Sequence, residues 1–442
     1  MFVCYILPVS KPRAIGICLA LLSAPAMAQD ESPFELHAQS TYIRQFKSAF
    51  DAPYSGPNSL RASREASYTF TGTLFIGARL GESTEAYFNP EIVQGVPFSG
   101  LHGVGGFANG ESQRGAGPNL KGYTARLFLR HTWNLGGEIE AQESAQNQLK
   151  TRYASERIVV TAGSLSVLDV FDAMDYSRDA RTQFMNWASL TYGAWDFPAD
   201  ARGYTWGLAV EYIRPNWAVR AGRFLVPIES NGPHLDSKFT QRYGDVAEFE
   251  LPYKLAGRAA IARALVFRNR VEAGGFNDAI ALGTATASVP DLTLVRRTQS
   301  KSGFGLGTQV EVTEAVGAYL RAGWNDGRTE TFMFTEIDRS LAAGALVKGS
   351  PWNRPNDSMG VAVYLNGLSG PHRNYLASGG QAFFLGDGRL NYGSERIAEA
   401  YYSLNVAPAA WISLGAQRAV NPGYNRDRGP ANFLGLRLHA EI

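Results

Sequence analysis

Cysteine is nearly absent from this chain of 442 residues. Cys4 and Cys18 are its two cysteines, and both lie within the first 28 residues. Residues 29–442 therefore contain no thiol, which excludes disulfides and cysteine-ligated metal sites from that part of the chain. A chain of this length without disulfides needs a large core, a closed sheet or a lipid surround for stability.

Long apolar runs are also missing, and the mean hydropathy is −0.17. A bundle of membrane-spanning helices, which needs several apolar runs of about 20 residues, is therefore excluded. The one short run, AIGICLALLSA at 14–24, follows two basic residues and precedes an Ala-x-Ala site that ends at Ala28. We predict a cleaved secretory signal peptide at residues 1–28 and one domain at 29–442. A buried N-terminal helix is the alternative.

The chain also lacks a large excess of either positive or negative charge. Lys and Arg together number 42 and Asp and Glu 40, so no strongly basic face is available and nucleic acid is not an expected partner. Only 8 of the 42 basic residues are lysine. The arginine excess has genome base composition as an alternative explanation.

Motifs of metal and cofactor enzymes are absent from the sequence. No H-E-x-x-H occurs, and the glycine-rich stretch at 103–110 lacks the G-x-G-x-x-G spacing. We therefore expect no metal, no cofactor and no enzyme activity. Ser369 with His372 is the best pair for an alternative, a barrel enzyme, but no orienting third group is evident.

What the sequence does contain is alternation of apolar and polar residues. In the last segment, Leu434, Leu436 and Leu438 fall on one face while Arg437 and His439 fall on the other. Such a period of two indicates β-strands, and turn-forming residues separate the segments. The same pattern occurs at 124–132, 205–212, 316–325 and 359–366.

The composition of the two faces indicates a membrane barrel rather than a soluble sandwich. The polar face mixes Arg and Glu with Gly, Thr, Asn and Tyr, as a wet lumen requires, and the apolar face suits lipid. Trp206, Tyr212 and Trp324 stand at the ends of apolar faces, where interface girdles occur. We predict an all-β fold: a transmembrane antiparallel β-barrel of about 16 strands, with long extracellular loops partly folded into the lumen.

A distributed set of charged and aromatic residues is the most informative candidate site. It starts on the polar faces of the early strands and continues through 172–181, a segment without alternation. Paired arginines and carboxylates can bond adjacent hydroxyls, and Trp or Tyr can stack on a sugar ring, so the set suits small neutral sugars. The alternative is that these charges pair across the barrel and hold loops.

The sequence resembles the carbohydrate-selective porin family of Gram-negative outer membranes, the OprB type. The stretches that carry the resemblance run in family order: 69–80, 85–95, 103–111, 123–138, 175–188, 199–207, 321–327, 334–340, 367–380, 386–395 and 421–430. The resemblance implies a 16-stranded barrel with infolded loops and passive monosaccharide uptake without a cofactor. It places the pore eyelet at Arg79, Asn89, Glu91, Arg126, Arg130, Asp175, Arg178, Asp179, Arg181, Asn186 and Trp187.

The sequence departs from the family pattern at two places. It ends in Ile442 where such barrels usually end in Phe, which bears on recognition by the barrel assembly machinery. Gly81-Glu82 stands where the family leads us to expect an aromatic, which bears on sugar preference.

These observations together predict an outer-membrane porin for passive, carbohydrate-selective diffusion of monosaccharides such as glucose into the periplasm. The expected partners are small neutral sugars, outer-membrane lipid and the barrel assembly machinery, with the chain a monomer or a homotrimer. A general diffusion porin without a sugar site, and a non-porin outer-membrane barrel such as an adhesin or efflux scaffold, remain as alternatives.

Overall fold

The computed structural model describes residues 33–112 and 117–442. The predicted signal peptide, residues 1–28, lies outside this part. Within the described residues, sixteen strands pair antiparallel with their neighbours, and β1 (Phe34–Lys47) pairs with β16 (Ala431–Glu441) to close the barrel. The predicted fold class is confirmed.

The strands between these two follow one another around the barrel in chain order. They are β2 (Glu65–Arg79), β3 (Thr84–Val96), β4 (Gly117–Gln142), β5 (Thr151–Leu165), β6 (Thr205–Arg214), β7 (Trp217–Phe224), β8 (Tyr243–Leu255), β9 (Arg258–Gly274), β10 (Arg296–Thr313), β11 (Val316–Asn325), β12 (Arg339–Lys348), β13 (Ser358–Gly367), β14 (Glu395–Ala407) and β15 (Ala410–Val420). The α-helices of the described residues are α1 (Phe276–Ala285) and α2 (Gly370–Ala377). None of the helices in 33–112 and 117–442 has the length and apolarity needed to cross a membrane.

Side chains alternate between the two faces of the barrel wall as the sequence predicts. On β16, Leu434 is 63% exposed on the outer face, while Arg437 and His439 point inward and are buried. Outward Val363 and Leu414 are likewise exposed. Because successive side chains of a strand point to opposite faces, the apolar set meets lipid and the polar set lines the lumen.

The two ends of the barrel differ in the length of their connections. The start of β1 and the end of β16 lie at the end with mostly short turns, such as 215–216 and 256–257. Long loops join the strands at the other end: 48–64, 97–116, 166–204, 225–242, 275–295, 326–338, 368–394 and 421–430. In bacterial outer-membrane barrels the short turns face the periplasm and the long loops face outward.

The long loops fold inward and fill much of the lumen. Phe171, Tyr192 and Trp195 of loop 166–204 are fully buried, and they pack with the inward Phe128 and Leu265 of the wall. A second buried cluster joins further residues of loop 166–204 and residues of other loops to the opposite wall; it includes Phe107, Phe184, Leu368, Phe384, Tyr319 and Tyr401. Burial of this apolar surface keeps the loops inside the barrel.

Tyr192 rests directly on the backbone of β10 at Gly305. A Cβ built on Gly305 would lie 2.5 Å from ring atoms of Tyr192, so no larger residue fits without moving the loop. The inward glycine is therefore a packing requirement of the infolded loop.

Gly305→Ala is expected to lower stability by about 1–3 kcal/mol because it overpacks this contact. The measurement is the temperature at which the folded band is lost in heat-modifiability gels. Gly81→Ala is the matched control, because a Cβ there meets nothing within 4 Å. Equal unfolding temperatures for the two variants would contradict the packing argument.

Candidate functional site in the barrel lumen

Loop 166–204 carries the centre of the site. Its first residues form a short helix, Val167–Asp169, closed by a capping box in which the Asp169 carboxylate accepts a hydrogen bond from Ser166 N. A second short helix, Trp187–Ser189, is capped by the side chain of Asn186, which accepts from Ala188 N. These local bonds set the path of a segment whose sequence lacks strand alternation.

Arg126 on β4 and Asp169 on the loop form a two-pronged ion pair. Arg126 Nε donates to Asp169 Oδ2 and Nη2 donates to Oδ1, both at 2.7 Å. Burial acts to raise the pKa of the Asp169 carboxyl, but the guanidinium outweighs burial and holds that pKa below its ordinary value. The Arg126 guanidinium also lies 5.2 Å from the ring centre of Tyr204. Such a planar pair offers ordered polar groups to a sugar hydroxyl.

Arg181 links loop 166–204 to two carboxylates, Glu91 on β3 and Glu111 in the loop that follows β3. Its Nη2 donates to Glu91 Oε2 at 3.0 Å and its Nε donates to Glu111 Oε2 at 2.9 Å. Thr73 and Tyr123 also donate hydroxyl hydrogen bonds to Glu91. Burial raises the pKa of the Glu111 carboxyl although Arg181 opposes that rise. Arg181 thus neutralises a buried acidic pair and fixes the loop at the same time.

An aromatic surface lies beside these charges. Trp187 stacks on Phe334 with ring centres 5.1 Å apart and an interplanar angle of 18°, and Phe334 contacts Phe197 at 4.4 Å. The indole nitrogen of Trp187 donates to Asn109 O at 2.8 Å, which fixes the ring. Aromatic faces of this kind can pack on the apolar face of a sugar ring.

These groups border one cavity of about 590 Å³. Its lining runs from loop 166–204 along the inner faces of β4, β5 and β6 to the turn 143–150 at the short-turn end. Small-molecule sites commonly measure about 300–1,000 Å³, so one monosaccharide with water fits this space.

The structure brings six of the eleven eyelet residues predicted from sequence to this cavity. They are Arg126, Arg130, Arg178, Asp179, Arg181 and Trp187. Arg130 lies near the short-turn end, where it donates to Asn147 O at 3.1 Å and its guanidinium covers the rings of Tyr87 and Phe128.

The other five predicted residues do not line the cavity. Arg79 donates to Lys150 O, and Asn89 donates to the side chain of Asn147, so both hold the turn 143–150. Glu91 is buried behind Arg181. The remaining two lie elsewhere: Asp175 contacts Gln309 on β10, and Asn186 donates to Gln417 on β15.

Many further residues line the cavity that were not predicted from sequence, and those used in the account of the site include Asp169, Arg202, Tyr204 and Phe334. Arg202 and Tyr204 lie in the stretch 199–207 that carries the family resemblance, so a signal for them was present. Phe334 likewise begins the stretch 334–340, whereas Asp169 had no comparable signal, because its place depends on how loop 166–204 folds against β4.

Ser369 and His372 form a helix cap. His372 N donates to Ser369 Oγ at 3.2 Å, while the hydroxyl of Ser369 donates to Gly327 O at 2.6 Å. The imidazole Nδ1 of His372 faces Asp338 Oδ2 at 3.0 Å, and both residues are fully buried. Among residues 33–112 and 117–442, no group of three or more histidine or acidic side chains is arranged to hold a metal ion.

A closed barrel with an apolar outer face, infolded loops and a polar cavity defines an outer-membrane porin. The family model for the carbohydrate-selective porins, OprB family, matches residues 57–441. The chain therefore belongs to the OprB family of carbohydrate-selective porins. Family and fold indicate a channel, and its place is the Gram-negative outer membrane.

The chain is similar to solved structures at low sequence identity, and the first of them shares its fold. The high-pH structure of Pseudomonas putida OprB matches with a TM-score of 0.67 and 16% identity, over 93% of this chain and 94% of that chain. The outer-membrane channel DcaP of Acinetobacter baumannii matches with a TM-score of 0.49 and 10% identity, over 92% and 97% of the respective chains. No curated protein matches the sequence significantly.

Proposed function

We propose that the 590 Å³ cavity is the path by which monosaccharides such as glucose diffuse through this porin, driven by their concentration gradient alone. The observation that supports this most strongly is the lining, which combines the Arg126–Asp169 pair with the aromatic surface of Trp187 and Phe334. Guanidinium and carboxylate groups exchange hydrogen bonds with hydroxyls, and the rings pack on C–H faces.

Each lining group has a distinct role in this proposal. Arg126 and Asp169 bind vicinal hydroxyls while their mutual bond keeps them oriented. Tyr204 adds a neutral phenol, because burial raises its pKa; its hydroxyl donates to Glu91 Oε1 at 3.3 Å, so its oxygen is available to a sugar as an acceptor. Trp187 supplies the stacking face, and Arg181 positions the loop that carries it.

The route to the membrane and the assembly state belong to the same proposal. The chain reaches the outer membrane after cleavage of residues 1–28 and is inserted by the barrel assembly machinery. The support is the signal-like N-terminus, the closed sheet and the apolar outer wall. It works as a monomer or a homotrimer.

Arg126→Gln is expected to reduce glucose flux about tenfold at low glucose concentration, because a charge-assisted contact of roughly 1.5–3 kcal/mol is lost. The measurement is the swelling rate of proteoliposomes in glucose. Arg418→Gln is the matched control, since Arg418 is exposed on the outer face of β15. Unchanged flux in Arg126→Gln and Trp187→Ala would make the protein a general diffusion porin.

A further inference from the structure

Most carboxylates that line the cavity are paired with arginines of the protein, whereas several of its guanidiniums have few partners. Asp169 accepts two hydrogen bonds from Arg126, and Asp200 accepts from both Arg202 Nε and Nη2. Glu111 is paired with Arg181. The carboxylates of these residues are therefore already engaged by guanidiniums of the protein. Asp169 keeps acceptor capacity for one hydroxyl on Oδ1, but none of these carboxylates adds an unpaired negative charge to the cavity.

Three guanidiniums of the same cavity have few partners. Arg178 is exposed, has no carboxylate within 4.0 Å in the described residues, and makes one side-chain contact, to Leu168 O at 3.4 Å. Arg130 has Glu85 at 3.8 Å, and Arg157 has Glu140 at 3.6 Å, both beyond hydrogen-bond distance. Because each guanidinium carries five N–H donors, many donors remain for a guest.

Asp179 is the carboxylate that chiefly offsets the positive charge of these three guanidiniums. It lines the cavity, and its side chain accepts only from Arg181 N, at 2.8 Å, among the hydrogen bonds of the described residues. It also sits next to Arg178 in the chain. Glu211 also lines the cavity, but its Oε2 accepts from Arg220 Nε. The free donors of three guanidiniums thus outnumber the carboxylates that remain available, so the cavity is best matched by a guest that is rich in acceptors and negatively charged.

We propose that this porin takes anionic monosaccharides, with a carboxylate or phosphate group, in preference to neutral ones. This inference rests on the proposed function of the cavity and narrows its substrate class. The sugar ring occupies the region of Trp187 and Phe334, and the anionic group pairs with Arg178 on the loop side or with Arg130 and Arg157 further along the path. Arginine forks fit carboxylate and phosphate oxygens in two-pronged fashion.

The test compares glucose with glucuronate, which keeps the ring and adds one carboxylate, and with glucose 6-phosphate. Single-channel conductance of the full-length porin in a planar bilayer is recorded while each sugar is titrated. Glucuronate or glucose 6-phosphate is expected to block at about tenfold lower concentration than glucose, and the better blocker identifies the anionic group. Equal block by all three, with glucose block intact, would overturn the anionic preference while leaving the proposed function standing. Absence of block by any sugar would overturn both.

Substitutions at two neighbouring residues distinguish a specific anion-binding site from a general effect of positive potential in the lumen. Arg178→Gln is expected to reduce the ratio of anionic to neutral block, and Asp179→Asn is expected to increase it. Both residues lie in a loop, so neither substitution touches the strand pairing of the barrel. The potassium-to-chloride selectivity is measured in parallel. Variants that shift ion selectivity but leave the glucuronate-to-glucose ratio unchanged would overturn the inference.

Discussion

Arg181→Met is expected to raise the single-channel conductance and to loosen loop 166–204. The substitution leaves Glu91 and Glu111 buried without their shared cation, at 0% and 10% side-chain exposure. Breaking a buried ion pair by removing one partner costs about 3–5 kcal/mol. The loop can relieve this cost by moving away from the β2–β3 wall and admitting water to the carboxylates.

The measurement for Arg181→Met is conductance in a planar bilayer, with barrel folding checked by heat-modifiability gels. Arg61→Met serves as the control, because Arg61 is 73% exposed in a different loop and its nearest carboxylate oxygen is 3.8 Å away. The double variant Arg181→Met with Glu111→Gln removes one of the stranded charges and is expected to recover part of the stability. Wild-type conductance in Arg181→Met would show that this residue does not hold loop 166–204 in place in the lumen.

Asp196→Ala is expected to abolish the aromatic surface of the site. The Asp196 carboxylate, buried on loop 166–204, accepts hydrogen bonds from the backbone nitrogens of Phe332, Met333 and Phe334 at 2.8–3.0 Å. It also lies 3.4 Å from the buried ammonium of Lys301. The substitution strands three buried N–H groups and one buried cation, so the loss is several kcal/mol. Phe334 is then no longer held against Trp187.

For Asp196→Ala we expect loss of glucose block and cleavage of loop 326–338 by added protease, with the barrel still folded. Asp326→Ala is the matched control, because Asp326 also accepts backbone hydrogen bonds, from Ser302 N and Arg328 N, but lies at a more exposed position. Full glucose block in Asp196→Ala would mean that the Phe334 surface does not contribute to sugar binding.

The barrel could be predicted from sequence because its pattern is local. Each strand carries its own period of two, as in Leu434, Leu436 and Leu438 against Arg437 and His439, and lipid on one side with water on the other imposes that period. Glycine-rich and Asn-rich stretches mark the turns between strands. The path of the loops has no such local signal.

The site was predictable in composition but not in detail. Arg126 and Arg181 could be named because they lie in stretches typical of the family. The residues that pair with them could not be named, because the pairs are far apart in the chain. Arg181 contacts Glu91 from 90 residues away, and Asp196 likewise binds Phe332 from 136 residues away. Asn186 has the chemistry of a sugar ligand, but its amide is used within the protein on Gly106 O and Gln417.

The central claim is that the cavity between loop 166–204 and the β4–β6 wall conducts and binds sugar. Its most direct test is the conductance of the wild-type protein in a planar bilayer during a glucose titration. The account predicts a steady open-channel current that falls and saturates as glucose is added, because a bound sugar blocks ions in the same path. A steady current that is indifferent to glucose at every concentration would contradict it.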